Sequence, residues 1–109
     1  MNQVHAMECF AALAQESRLA VVRLLIQEAP TGLPVGEISR RLEILPSTLS
    51  SHLGVLRRAQ LLKSTRHQRE IHYSADLDGM SDLIRFLLED CCNGSMEQCE
   101  PVLSSLMKA

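Results

Sequence analysis

The sequence predicts a mainly α-helical protein with one small β-hairpin, in the order α-α-α-α-β-β-α. Three observations predict it. Apolar residues recur at helical spacing in five separate stretches. The segments that favour strand, 61–66 and 70–75, flank a short polar turn. A chain of 109 residues, 46% hydrophobic and 22% charged, suits one globular domain with a modest core. So small a protein gains by burying further surface in a dimer.

The elements follow in order. Val4, Met7, Phe10, Leu13 and Ala14 predict a helix over 4–14. Ser17 is placed to cap a second helix over 18–28, where Val21, Val22, Leu24, Leu25 and Ile26 are apolar enough for the centre of the core. Pro30-Thr31-Gly32 and Pro34 end it. Val35, Ile38 and Leu42 give a short third helix over 35–42, followed by a tight turn at Glu43-Ile44-Leu45-Pro46. The fourth helix starts at Pro46 or Ser47, where proline fits the first turn, and runs to about Ala59. Leu49, Leu53 and Leu56 line one face of it. At about 100° per residue the opposite face carries Ser47, Ser51, Gly54 and Arg58, with Thr48 beside it. These are small or basic side chains, where a merely solvated helix more often shows Glu and Lys.

The hairpin pairs 61–66 with 70–75 around His67-Gln68-Arg69. The last clear helix spans 79–92, capped by Asp76 or Asp78 and stopped by Asn93-Gly94. Met80, Leu83, Ile84, Leu87, Leu88, Cys91 and Cys92 form an unbroken apolar stripe along it, of the kind a dimer interface uses. A short helix over 101–108 would close the chain. Residues 1–92 thus form the main domain and 93–109 a tail.

Net charge is −2, which alone argues against a nucleic-acid partner. Its distribution argues the other way. Residues 40–72 hold seven basic and two acidic side chains, a balance of +5, and the remainder, with four basic and eleven acidic, carries −7. A basic centre between acidic ends suits a middle that faces phosphates. Only Phe10, Tyr73 and Phe86 are aromatic, too few for a single-strand stacking platform. No stretch reaches the roughly 20 apolar residues of a membrane span, and the start lacks a signal-peptide pattern, so the expected compartment is the cytoplasm. Thiols stay reduced there, which favours ligation over a disulfide framework for the four cysteines. No nucleophile–base pair, phosphate loop or carboxylate dyad stands at a telling spacing, so an enzyme is not expected.

Helix, tight turn, helix and basic hairpin is the order of a winged helix-turn-helix, whose second helix enters the major groove while the hairpin reaches the backbone or minor groove. Ser47, Thr48, Ser50, Ser51 and His52 are the candidate base-facing residues. Arg57, Arg58, Lys63, Arg66 and Arg69 are the candidate phosphate contacts, giving an affinity that falls with salt.

FAALAQESRLAVVRLL (10–25) resembles the opening of the ArsR/SmtB family of metal-responsive repressors. PSTLSSHLGVLRRAQLL (46–62) resembles its recognition helix and exit, with Ser50, His52, Leu53 and Leu56 at the family's spacing. REIHYSA (69–75) is similar to the second strand of its wing. The likeness covers roughly residues 8–92. It implies a homodimer joined by the first and last helices, with Phe10, Leu83, Ile84, Leu87 and Leu88 at the interface, bound to double-stranded operator DNA and released by an inducer. Gln60 and Gln68 depart from the family's usual glycines, and a left-handed backbone at either costs about 1 kcal/mol.

The family's sensor sites select among inducers. A Cys-x-Cys site at the third helix is absent, because 33–42 holds no cysteine. A zinc-type Asp/His site on the last helix is disfavoured, because no histidine follows His72. Cys91, Cys92 and Cys99 resemble the C-terminal arsenic-sensing set, a Cys-Cys pair with a third cysteine beyond. Trivalent arsenic takes three soft sulfurs, whereas zinc and cadmium ask for four ligands. Arsenite is therefore the expected inducer, trivalent antimony and methylarsenite fit the same thiols, and no organic cofactor is expected. The alternatives are a thiol redox sensor and a sensor of cadmium, zinc or lead. Cys9 reads as a packing residue.

Overall fold

The computed structural model describes residues 1–89 and, beyond them, residues 101, 104 and 105. The described elements are α1 (Gln3–Leu13), α2 (Glu16–Gln27), β1 (Leu33–Pro34), α3 (Val35–Leu42), α4 (Pro46–Arg58), β2 (Leu62–His67), β3 (Glu70–Ala75) and α5 (Leu77–Leu88). The expected winged helix-turn-helix order is present, with one strand added.

Local chemistry sets most boundaries. The Asn2 side chain accepts from the His5 backbone N–H and opens α1. α2 begins one residue before Ser17, because the Gln15 side chain accepts from the Arg18 N–H at 2.8 Å and serves as the cap. Glu16 then lies in the first turn, where a carboxylate favours the positive end of the helix. Glu43 ends α3 in the left-handed region at φ 55°, and the Ser39 hydroxyl donates to the Ile44 carbonyl, closing the turn before α4. Pro46 occupies the first turn of α4.

The sheet is antiparallel in the order β1-β3-β2. β1 was not foreseen, since two residues show no alternation. It pairs Leu33 with Tyr73 and Pro34 with His72. Gly32 brings the chain to this edge at φ 78°, and a Cβ there would overlap the Tyr73 carbonyl. β2 and β3 pair from Leu62↔Ala75 to His67↔Glu70, leaving a two-residue turn. The core is aliphatic, as the scarcity of aromatics predicts. Val21, Leu25, Ile38, Leu49, Leu53, Leu56, Leu61 and Leu62 are fully buried in it, with Cys9 among them.

α5 differs most from expectation. Asp76 caps it through the Gly79 N–H at 2.9 Å, and it closes at Leu88, short of the expected 92. Glu89 caps that end with extended backbone and places its carboxylate at the negative end of the helix dipole, which disfavours continuation. Leu83 is spent on the core of its own protomer, whereas Ile84 and Leu87 stay exposed. Phe10 also keeps 40% of its surface. Cys91, Cys92 and Cys99 lie outside the described residues, as do the proposed stop at Asn93-Gly94 and most of the helix expected over 101–108.

Candidate nucleic-acid interface

The leucines on α4 define the interface by subtraction. Leu49, Leu53 and Leu56 are buried to 1% exposure or less, which turns the other side of the helix outward. Ser47, Thr48, Ser50, Ser51, Arg57 and Arg58 are all exposed. Short hydroxyl side chains near the start of the helix let its backbone come close to base edges. Gly54 gives the Arg58 guanidinium room to fold back along the helix.

The wing supplies the second set. Lys63, Arg66 and Arg69 are exposed on β2 and at the hairpin turn. Gln68 takes φ 57° at the first turn residue, and its carbonyl accepts from Arg66 Nε at 3.1 Å. The His67 and His72 rings lie 4.4 Å apart between centroids, with the Glu70 carboxylate 3.3 Å from His72 Nε2. Both histidines belong to the wing, as expected. Among the described residues, no group of three His, Cys, Asp or Glu side chains is placed to hold a metal ion.

The basic residues divide into two groups. Arg40 pairs with Glu37, and Arg41 pairs with Glu37 and Glu28 at 3.0 and 2.8 Å. The Arg40 and Arg41 side chains hold the Glu37 carboxyl below its usual pKa through their hydrogen bonds. Among the described residues, Arg57, Arg58, Lys63, Arg66 and Arg69 make no ion pair. Within residues 40–72 the cations free to meet phosphate are thus those of the recognition-helix exit and the wing.

His52 stands apart from the other candidates. It is half-buried, and its Nδ1 accepts from Arg18 Nη1 at 3.4 Å. Arg18 Nε also donates to the Ala12 carbonyl at 2.6 Å. At the far end of α4, the Ala59 carbonyl takes both the Cys9 thiol at 3.3 Å and His5 Nε2 at 3.0 Å. Burial, reinforced by the Glu8 charge, pushes the Cys9 thiol above its ordinary pKa. Sequence reasoning missed Arg18 and His5 as partners of the recognition helix. Their contacts bridge 34 and 54 residues, and the only local signal was a cation near the start of an apolar helix.

α5 also reaches the exit of α4. A Cβ at Gly79 would overlap the Gln60 carbonyl, so only glycine lets the two backbones meet. Gln60 itself is left-handed at φ 64°.

A helix-turn-helix domain model matches residues 13–65. The transcriptional activator HlyU of Vibrio cholerae is 31% identical over 94 residues, 86% of this chain and 84% of that protein. This chain belongs to the HlyU family of helix-turn-helix transcriptional regulators. The solved HlyU structure from Vibrio cholerae aligns with a TM-score of 0.63 over 80% of this chain and 97% of HlyU. Reduced HlyU from the same organism aligns at 0.63, with 30% identity over 84% and 93% of the two chains. An ArsR-like transcriptional regulator from Rhodococcus shares the fold with a TM-score of 0.70 at 22% identity, over 94% and 90%. As a HlyU-family member the protein is a DNA-binding regulator with ArsR-like structural neighbours, and its relatives are regulators, not enzymes. Among the described residues no helix is long and apolar enough to cross a membrane.

Proposed function

We propose that this regulator is a homodimeric repressor released from its operator when trivalent arsenic is bound by the thiolates of Cys91, Cys92 and Cys99. The observation that carries the reading is the cysteine set, three soft donors that follow α5 in the chain. α5 is also the helix whose first turn abuts the exit of α4 at Gln60. A change at one end of α5 therefore has a backbone route to the recognition helix. The dimer reading rests on apolar side chains left exposed on two touching helices: Val4, Met7 and Phe10 on α1, Ile84 and Leu87 on α5. DNA and arsenite then favour different subunit arrangements, with a coupling of about 1–3 kcal/mol. Repression follows the ArsR/SmtB resemblance, whereas the HlyU relative is a transcriptional activator; a promoter–reporter assay with and without arsenite gives the sign of control.

The experiment is an arsenite titration of reduced protein on labelled promoter duplex, with a Cys91/Cys92/Cys99→Ser triple variant beside the wild type. Release of the wild type alone supports the reading. If both stay bound, arsenic is not the signal.

A second reading is a thiol redox switch through a Cys92–Cys99 disulfide. It is favoured by the existence of a HlyU structure specified as reduced. Loss of DNA binding with oxidant, unaffected by arsenite, would select it. Cadmium, zinc or lead would need a fourth donor beside the same three thiols.

A further inference from the structure

Outside the buried Ala6 and Cys9, the α1–α4 contact opens on one side, where few apolar side chains interlock. The facing side chains include Ala11, Ala12, Val55 and Ala59, and they leave an open cleft of about 480 Å3 rimmed by Glu8, Arg18 and Arg58. Alanines facing Val55 and Ala59 offer shallow ridges, so packing along this cleft adds little to setting the crossing angle.

Polar contacts bridge the same gap. His52, Val55 and Ala59 stand at i, i+3 and i+7, one face of α4. At the exit end of that face, His5 and Cys9, one turn apart on α1, both hold the Ala59 carbonyl. Two turns earlier, Arg18 holds His52 while its Nε and Nη2 donate to the Ala12 and Ala11 carbonyls near the end of α1, at 2.6 and 3.5 Å. Guanidinium only donates, so His52 Nδ1 is the accepting side of this contact. The imidazole is thereby committed to the protein side of the helix.

We propose that Arg18 and His52 are a positioning pair that sets the angle of the recognition helix on α1, and that His52 does not read DNA. The proposal rests on the dimeric DNA-binding reading. α1 carries the exposed Val4, Met7 and Phe10. With that face against a partner, the α1–α4 angle fixes the distance between the two recognition helices. Half-site separation in the operator follows from that distance.

The test is selection from a randomised duplex pool by full-length wild type, His52→Ala, His52→Asn and Arg18→Lys, followed by affinity measured against salt. Asn keeps an acceptor close to the place of Nδ1. Wild type should select one half-site separation. His52→Ala and Arg18→Lys should shift or broaden that separation, leave the bases within each half-site unchanged, and weaken binding to the wild-type duplex by about three- to tenfold. His52→Asn should restore the separation, and the salt slope should stay the same in all four. A changed base preference with separation intact would overturn the proposal, and so would a slope reduced by about 1, the mark of a lost phosphate contact. An unchanged separation in every folded variant, checked by thermal unfolding, would overturn it too. Wild type that selects isolated half-sites would sink the dimer reading and this proposal together, and that failure shows in the wild type alone.

Discussion

Gln68 holds a backbone conformation that glycine adopts freely and a side-chain-bearing residue adopts at a cost. Gln68→Gly should therefore stabilise the protein by about 1 kcal/mol, read as a higher denaturant midpoint with an unchanged slope. Cys9 gives a second prediction at this scale. Its thiol is buried and pushed up in pKa, so thiolate is scarce at neutral pH. Native protein should leave Cys9 unalkylated by iodoacetamide, and denatured protein should label it, both scored by peptide mass. The sign of the linkage follows. The fold favours the protonated thiol, so its contribution holds below the unfolded pKa and is lost as pH rises above it. At this scale the sequence was legible where a residue acts locally. Both glutamines at expected glycine positions did prove left-handed. His52 was less legible, because helical periodicity says which way a side chain points but not that Arg18, 34 residues earlier, waits there.

The helices were legible as elements because each has a 3.6-residue apolar pattern and a nearby stop. α3 matched its expected bounds, and α4 matched within a residue of its end. β1 was not legible, since a two-residue strand exists only through its partner β3. The start of α2 slipped because a glutamine amide can cap where a serine was expected. The end of α5 slipped because an apolar stripe says nothing of the Glu89 carboxylate that opposes the dipole. The contact between α5 and the exit of α4 makes a prediction of its own. Gly79→Ala forces a methyl into the Gln60 carbonyl. It should destabilise the protein by roughly 2 kcal/mol, the range of an overpacked site, seen as a lowered thermal midpoint. DNA affinity of the remaining folded fraction should fall as well, because Gln60 follows directly on the recognition helix.

Across the whole molecule, charge is segregated more finely than the sequence count suggests. The +5 centre contains two arginines already committed to carboxylates, Glu37 on α3 and Glu28 just past α2. The slope of log affinity against log salt should drop by about 1 for Arg66→Gln or Lys63→Gln and stay unchanged for Arg40→Gln. A filter or anisotropy assay over a range of salt checks this. Equal drops for all three would mean that α3 faces the DNA as closely as the wing does. The exposure of the candidate residues other than His52 was legible in the sequence. The partition into paired and free cations was not, because Arg41 meets Glu28 across 13 residues of folded chain.

The sheet has two open sides, and they are guarded differently. On the β1 side the strand is two residues long and ends in Pro34, which has no N–H to offer a further strand. On the β2 side five of the six residues of the outer strand stand in solvent, and Leu62 at the base is buried. What keeps another copy from zipping onto that side is charge, Lys63 and Arg66, which repel their own likeness. With the wing on phosphate, as the proposed DNA-binding mode has it, that repulsion would be quenched and the duplex would cover the strand. Off the DNA the same two side chains act as gatekeepers against self-assembly. A Lys63→Val/Arg66→Val chain should therefore form strand-paired aggregates in free solution, detected by light scattering, and duplex should suppress them only as far as it still binds.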